Sequence, residues 1–97
     1  MLHIVNKSPY SDIALESCLR TVQKGDSILL IEDAVLAVMA GGKAASTIEQ
    51  AQKDTPVYAL EPDLKARGVD RRLDGVKLVD YAGFVELVEK DKPMSWL

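Results

Sequence analysis

The chain has 97 residues, with 12 Lys and Arg against 15 Asp and Glu, a formal net charge of −3, and 47% apolar but 5% aromatic residues. This length predicts one domain over residues 1–97, whose single core buries roughly 60–68% of the unfolded surface. The acidic balance argues against direct binding of nucleic acid, which requires clustered Lys and Arg at the phosphates. With one cysteine and one histidine, the sequence predicts no internal disulfide and no zinc, haem or iron–sulfur site.

Export and membrane insertion are not expected. The apolar run near residues 1–5 is too short for a signal-peptide core. The longest apolar stretches, residues 28–31 and 34–40, fall well below the ~20 residues of a membrane helix. A lone cysteine fits a reducing compartment, so we expect a cytoplasmic location.

Apolar periodicity divides the chain into alternating strands and helices. In chain order it predicts a strand at 2–5, a helix from Asp12 with Ser11 as N-cap and closed by Gly25, a strand at 27–32, helices at 34–40 and 46–53, a strand at 56–60, a helix at 63–67, a strand at 76–80 and a helix at 81–90. This alternation predicts the α/β class: a small flavodoxin-like three-layer sandwich with a mainly parallel sheet and helices on both faces. The tail, residues 92–97, shows no periodicity. Its Trp96 is costly to leave in water, so we expect it to pack on this domain or on a partner.

Polar residues follow the predicted strands at the edge where open α/β sheets bind ligands. They are Asn6, Lys7 and Ser8 after the first strand, Glu32 and Asp33 after the second, Glu61 after the third and Asp80 after the fourth. No glycine-rich phosphate motif follows the first strand, and loop 41–43 lacks the flanking residues of a P-loop. We interpret Asp33 and Asp80 as helix caps, because each directly precedes a helical pattern.

Cys18 is the one soft nucleophile of the chain and therefore the one residue able to carry sulfur. Two interpretations are open. Cys18 shares a helical face with Leu15, Leu19 and Val22, which favours a buried, inert thiol with a raised pKa. A reactive thiolate would instead need a helix N-terminus or an adjacent cation, and Lys7 is a candidate for that cation if it reaches over the start of the helix. His3 lies inside a predicted strand, which favours a structural or interface role over a catalytic one.

Several segments resemble the DsrH/TusB family when their order and spacing are taken together. They are residues 1–9, 15–19, 29–34, 57–60, 63–68 and 79–85, and the closing Trp96. The resemblance spans nearly the whole chain. The Glu16-Ser17-Cys18-Leu19 context looks closer to DsrH of sulfur oxidisers than to TusB forms, which can lack that cysteine.

This resemblance implies the small DsrE-like α/β fold and a subunit of a cytoplasmic sulfur-relay complex. The implied partners are DsrE/TusD-like and DsrF/TusC-like subunits in a heterohexamer, together with upstream and downstream sulfur carriers. Such complexes pass persulfide sulfur toward 2-thiolation of the tRNA wobble uridine (TusBCD) or serve dissimilatory sulfur oxidation (DsrEFH). The principal acceptor cysteine belongs to the DsrE/TusD-type subunit, so the chain is not expected to be an enzyme alone. No cofactor is implied.

Under this resemblance Cys18 is the candidate sulfur acceptor, in an auxiliary role, with Lys7 or His3 as candidate stabilisers of its thiolate. The resemblance also implies that Trp96 and apolar residues of the short helices are buried against partner subunits. The alternative is a non-catalytic structural subunit that carries no sulfur on its own cysteine. A flavin-binding domain is disfavoured, because no phosphate-cradling loop of Ser, Thr and Gly follows the first strand.

Overall fold

The computed structural model describes residues 1–96. Within them lies a five-stranded sheet of order β4-β3-β2-β1-β5, in which every neighbouring pair is parallel. The strands are β1 Leu2–Val5, β2 Ser27–Leu30, β3 Val57–Leu60, β4 Lys77–Val79 and β5 Pro93–Trp96. The helices are α1 Ala14–Thr21, a 3₁₀ helix Glu32–Val38, α2 Ala45–Gln52, α3 Glu61–Ala66 and α4 Tyr81–Lys90. The predicted α/β sandwich with a parallel sheet is confirmed.

The first face of the sheet carries the larger core. Val5, Ile28 and Leu30 from the two central strands are fully buried on it. The helices α1, α2 and α3 and the 3₁₀ helix cover this face and contribute Leu15, Cys18, Val35, Val38, Ile48 and Leu64. Because successive strand residues point to opposite faces, the neighbours of these strand residues belong to a second, separate core.

The second face is covered by α4 within residues 1–96. Its core joins Leu2, Ile4 and Leu29 of the strands to Phe84, Leu87 and Val88 of the helix. The helix connects β4 at one edge to β5 at the other, so it crosses the whole sheet. No residue of α4 is fully buried, and its outer side leaves Tyr81 and Val85 exposed.

The tail forms a strand that the sequence pattern did not predict. In β5, Trp96 lies beside Val5 and Met94 beside His3 of β1, and the Leu2 N–H donates to the Lys92 carbonyl at 2.8 Å. The absence of apolar alternation has a physical reason: β5 is an edge strand whose first three residues are exposed.

Several predicted helix ends are shifted. The α1 helix begins at Ala14, whose N–H donates to Asp12 Oδ1 at 2.8 Å, so the predicted Ser11 cap is wrong. It ends at Thr21, while Gly25 (φ +91°) lies in the following turn.

The two predicted aspartate caps have opposite outcomes. Asp80 is confirmed as the N-cap of α4, because its Oδ1 accepts the Gly83 N–H at 2.8 Å. Asp33 is not a cap, because it lies inside a 3₁₀ helix that already begins at Glu32. Among residues 1–96, no helix is both long and apolar enough to span a membrane.

Candidate functional site

The Cys18 thiol lies on the inner side of α1 and has no exposed surface. It belongs to the first-face core, together with Leu15 of the same helix and Val5 of β1. Burial raises the pKa of Cys18 to about 12, and the nearby negative charge of Asp26 adds to the shift. The thiol is therefore protonated at neutral pH and shielded from solvent. A cysteine nucleophile needs the opposite conditions, a deprotonated and accessible sulfur.

The two predicted thiolate stabilisers are not arranged around Cys18. Lys7 is exposed beyond the end of β1, whereas the thiol is enclosed in the core. His3 is buried, but its ring nitrogens bond to two other side chains, Asp26 and Trp96. The structure thus separates Lys7 from the thiol and places His3 in a different polar cluster.

That polar cluster, made of His3, Asp26 and Trp96, ties together three strands. The His3 Nε2 lies 2.9 Å from Asp26 Oδ2, just before β2, and the Trp96 indole N–H donates to His3 Nδ1 at 3.1 Å. Asp26 also accepts the Gln23 N–H at 3.0 Å and pairs with the Met1 ammonium at 3.0 Å. The hydrogen bond from His3 is the largest of the contacts that hold the pKa of Asp26 well below its usual range.

Sequence reasoning missed this cluster because its members are far apart in the chain. His3 and Trp96 are separated by 93 positions, and the tail carries no strand pattern. The one available signal was that the first strand holds the single histidine and the closing segment holds the single tryptophan.

The polar residues at the carboxyl edge of the sheet mostly bind one another. The Asn6 amide donates to Glu32 Oε2 at 3.4 Å, and the Glu32 backbone N–H donates to Asp63 Oδ2 at 2.6 Å. Arg67 donates to Asp33 Oδ1 at 2.8 Å. Glu32 adopts a φ of +50°, a left-handed conformation that its bonded N–H helps to hold. This edge therefore acts as a set of internal links between loops.

The remaining edge residues also have local structural roles. Ser8 Oγ accepts the Tyr10 N–H at 3.1 Å and stabilises the turn after β1. Glu61 pairs with Lys65 at 3.5 Å on the surface of α3. Asn6 Oδ1 is a buried side-chain oxygen without a hydrogen-bond partner among residues 1–96.

The described part of the chain assembles no metal centre and has an open groove beside α1. No group of three or more His, Cys, Asp or Glu side chains in residues 1–96 is placed to hold a metal ion. An open groove of about 980 Å³ runs between the end of α1 and α2, with Leu19, Val22 and Ala51 among its lining residues. The fold and site thus define a class: a small parallel α/β domain with one sealed thiol and edge carboxylates engaged in internal contacts.

Comparison with known proteins gives this class a family. A family model described as DsrH like protein matches residues 7–94. Protein TusB of Pectobacterium parmentieri is 37% identical over 98 residues, covering 99% of this chain and 100% of that protein. Protein TusB of Escherichia coli (strain K12) is 36% identical over 99 residues, again covering 99% and 100%. The chain therefore belongs to the DsrH/TusB family.

Solved structures share the fold at lower sequence identity. The crystal structure of the ychN protein from E. coli superimposes with a TM-score of 0.80 at 19% identity, covering 97% of each chain. A protein of unknown function, MTH1491 from Methanobacterium thermoautotrophicum, gives a TM-score of 0.72 at 17% identity, covering 97% of this chain and 95% of that one. These similarities confirm the small α/β fold expected from the sequence.

Proposed function

We propose that this chain is a subunit of a cytoplasmic sulfur-relay complex that passes persulfide sulfur toward 2-thiolation of the tRNA wobble uridine. The observation that carries the proposal is the similarity to TusB proteins along 99% of the chain. Its partners are TusD-like and TusC-like subunits, which are related to DsrE and DsrF, in a heterohexamer. Residues 1–97 act as one domain within that assembly.

Exposed apolar side chains support a role in assembly. Ile13, in the loop before α1, is 69% exposed, and Tyr10 of the same loop is also exposed. Tyr81 and Val85 lie one turn apart on the outer side of α4, and both are exposed. We expect these side chains to contact partner subunits, whereas Trp96 already packs in part against the core of its own chain.

The chemistry of the relay sets the requirement for an acceptor cysteine. A thiolate attacks the outer sulfur of a donor persulfide, a new sulfur–sulfur bond forms, and the donor cysteine leaves as a thiolate. The step needs no external oxidant or reductant, because one persulfide replaces another. It does need a deprotonated and accessible acceptor sulfur.

Cys18 meets neither requirement in the folded chain, since it has no exposed surface and its pKa is raised to about 12. We therefore assign the sulfur-carrying cysteine to the DsrE/TusD-like partner and give Cys18 a structural role in the first-face core. The auxiliary acceptor role for Cys18 stays a prediction that requires α1 to open. If α1 opens and exposes Cys18, the tests below would instead detect sulfur on this residue.

Complementation tests the proposal in a strain that lacks its own TusB. The chain is expressed there, and 2-thiouridine is measured by mass spectrometry of tRNA nucleosides. We expect thiolation to return, and Cys18→Ala to restore it equally well. Ile13→Asp is the comparison variant, because it changes an exposed loop residue instead of the buried thiol. The new charge on the expected partner surface should reduce both assembly and thiolation.

The outcomes separate the two pathways. Restored 2-thiouridine supports the TusBCD-like role. Assembly with TusC-like and TusD-like subunits without restored thiolation favours the DsrEFH-like role in sulfur oxidation. Absence of both contradicts the proposed function.

A further inference from the structure

The edge strand β5 is held to the sheet by few side-chain contacts. Its first three residues, Pro93, Met94 and Ser95, are exposed, and Trp96 is the residue of this strand that packs against the core. Apart from backbone pairing with β1, the Trp96 indole bond to His3 is the polar link between the strand and the interior. Beyond its backbone pairing with β1, the attachment of β5 therefore rests on the Trp96 side chain and its hydrogen bond to His3.

This hydrogen bond fixes the protonation state of His3. An indole N–H can donate but cannot accept, so Nδ1 of the imidazole must offer its lone pair to Trp96 at 3.1 Å. The ring hydrogen is then on Nε2, which donates to Asp26 Oδ2 at 2.9 Å. The geometry is satisfied by the neutral Nε2–H tautomer of His3.

We propose that His3 is an acid-sensitive latch: protonation of its ring releases Trp96 and detaches β5 from β1. A protonated imidazole carries a donor on both nitrogens. Its Nδ1–H would face the indole N–H across 3.1 Å, so two donors would oppose each other. His3 is 1% exposed, which leaves little room for water to accept either hydrogen.

The surrounding charges determine which of the two His3 contacts breaks when the ring is protonated, and the contact with Trp96 is the one expected to break. Asp26 Oδ2 faces Nε2, which carries a hydrogen in both states of the ring, and the Met1 ammonium and Asp91 lie beyond Asp26. From α1, the neutral Cys18 thiol is close enough to Asp26 for that carboxylate to help raise its pKa. The protonated ring therefore stays bound to Asp26, and the weaker attachment, β5, gives way.

The consequence is local opening at the sheet edge. The three central strands, β1, β2 and β3, carry buried side chains on both faces, whereas β5 does not. Local opening of this kind occurs where few buried contacts oppose it. This inference is independent of the proposed function, because it concerns the folded chain itself.

Hydrogen exchange of the full chain tests the latch. Protection factors of the β5 amides are compared at pH 8 and pH 5.5 after correction for intrinsic exchange, with the β2 amides as internal reference. We expect protection of β5 to fall about tenfold or more at pH 5.5, the size expected when a buried donor loses its partner. The β2 amides should change little. In parallel, acrylamide quenching of Trp96, the one tryptophan of the chain, should increase at pH 5.5.

Two variants separate the latch from general acid effects. Trp96→Phe keeps an aromatic ring but removes the indole N–H, so the pH dependence of β5 exchange should disappear. His3→Asn keeps an acceptor near the Nδ1 position and does not titrate, so β5 should stay equally protected at both pH values. Equal protection of β5 at both pH values in the unmodified chain would overturn the latch. An unchanged pH response in Trp96→Phe would overturn it as well.

Discussion

The sealed thiol makes a quantitative prediction for alkylation of Cys18. With a pKa of about 12, the thiolate fraction of Cys18 at pH 8 is about 10⁻⁴. An ordinary cysteine with a pKa near 8.5 has a thiolate fraction of about one quarter at the same pH. Ionisation alone therefore slows the reaction about 2,000-fold, and the absence of exposed surface slows it further.

The assay uses iodoacetamide at pH 8, with intact mass measured over time. The folded chain is compared with the same chain unfolded in guanidinium chloride, and the single cysteine means that one adduct reports one site. We expect the folded chain to react at least about 1,000-fold more slowly. A folded rate within tenfold of the unfolded rate would refute the reasoning and revive Cys18 as a candidate acceptor.

Four further changes test the energetics of the fold. Because the folded pKa of Cys18 is raised to about 12, the contribution of this thiol to the free energy of unfolding should be constant below about pH 8.5 and fall by about 1.4 kcal/mol per pH unit between about pH 8.5 and pH 12; urea unfolding should show this component in the unmodified chain and lose it in Cys18→Ala. The pKa of Asp26 is lowered, so its contribution to the free energy of unfolding is present above about pH 4 and lost as the pH falls. Asp26→Asn should lack this acid-sensitive component, and an equal loss of stability in acid for the variant and the unmodified chain would contradict the reasoning. Leu29→Ala empties a fully buried position and should cost about 2–5 kcal/mol in urea unfolding, whereas Ile13→Ala on the exposed loop should stay within about 0.5 kcal/mol. Asp80→Ala removes the α4 cap and should cost about 1 kcal/mol, seen as a lower urea midpoint.

Much of the architecture could be predicted because burial leaves a local pattern. The first strand was predicted with its observed ends, and helix 81–90 coincides with α4. Strand β5 could not be found this way, since an exposed edge strand needs no apolar alternation and depends on its pairing with β1. Asp33 was misassigned because Glu32 takes a left-handed conformation and starts the 3₁₀ helix two residues before the predicted start at residue 34.

The candidate site was predictable only in part. The helical phase shared by Cys18 and Leu15 favoured a buried thiol over a reactive one, and both residues are buried. The partners of His3 were not predictable, because Asp26 and Trp96 reach it across 23 and 93 positions of sequence. Contacts of such long range depend on strand order, which local periodicity does not encode.

The most direct measurement is intact mass, with site mapping, of each subunit in the complex reconstituted from this chain and its TusC-like and TusD-like partners. The complex is exposed to a persulfide donor and analysed without reduction. We predict that one added sulfur appears on the TusD-like subunit while Cys18 keeps its unmodified mass. Sulfur on Cys18 at comparable occupancy would contradict the structural role of this thiol, and failure of the three chains to assemble would contradict the relay-subunit account.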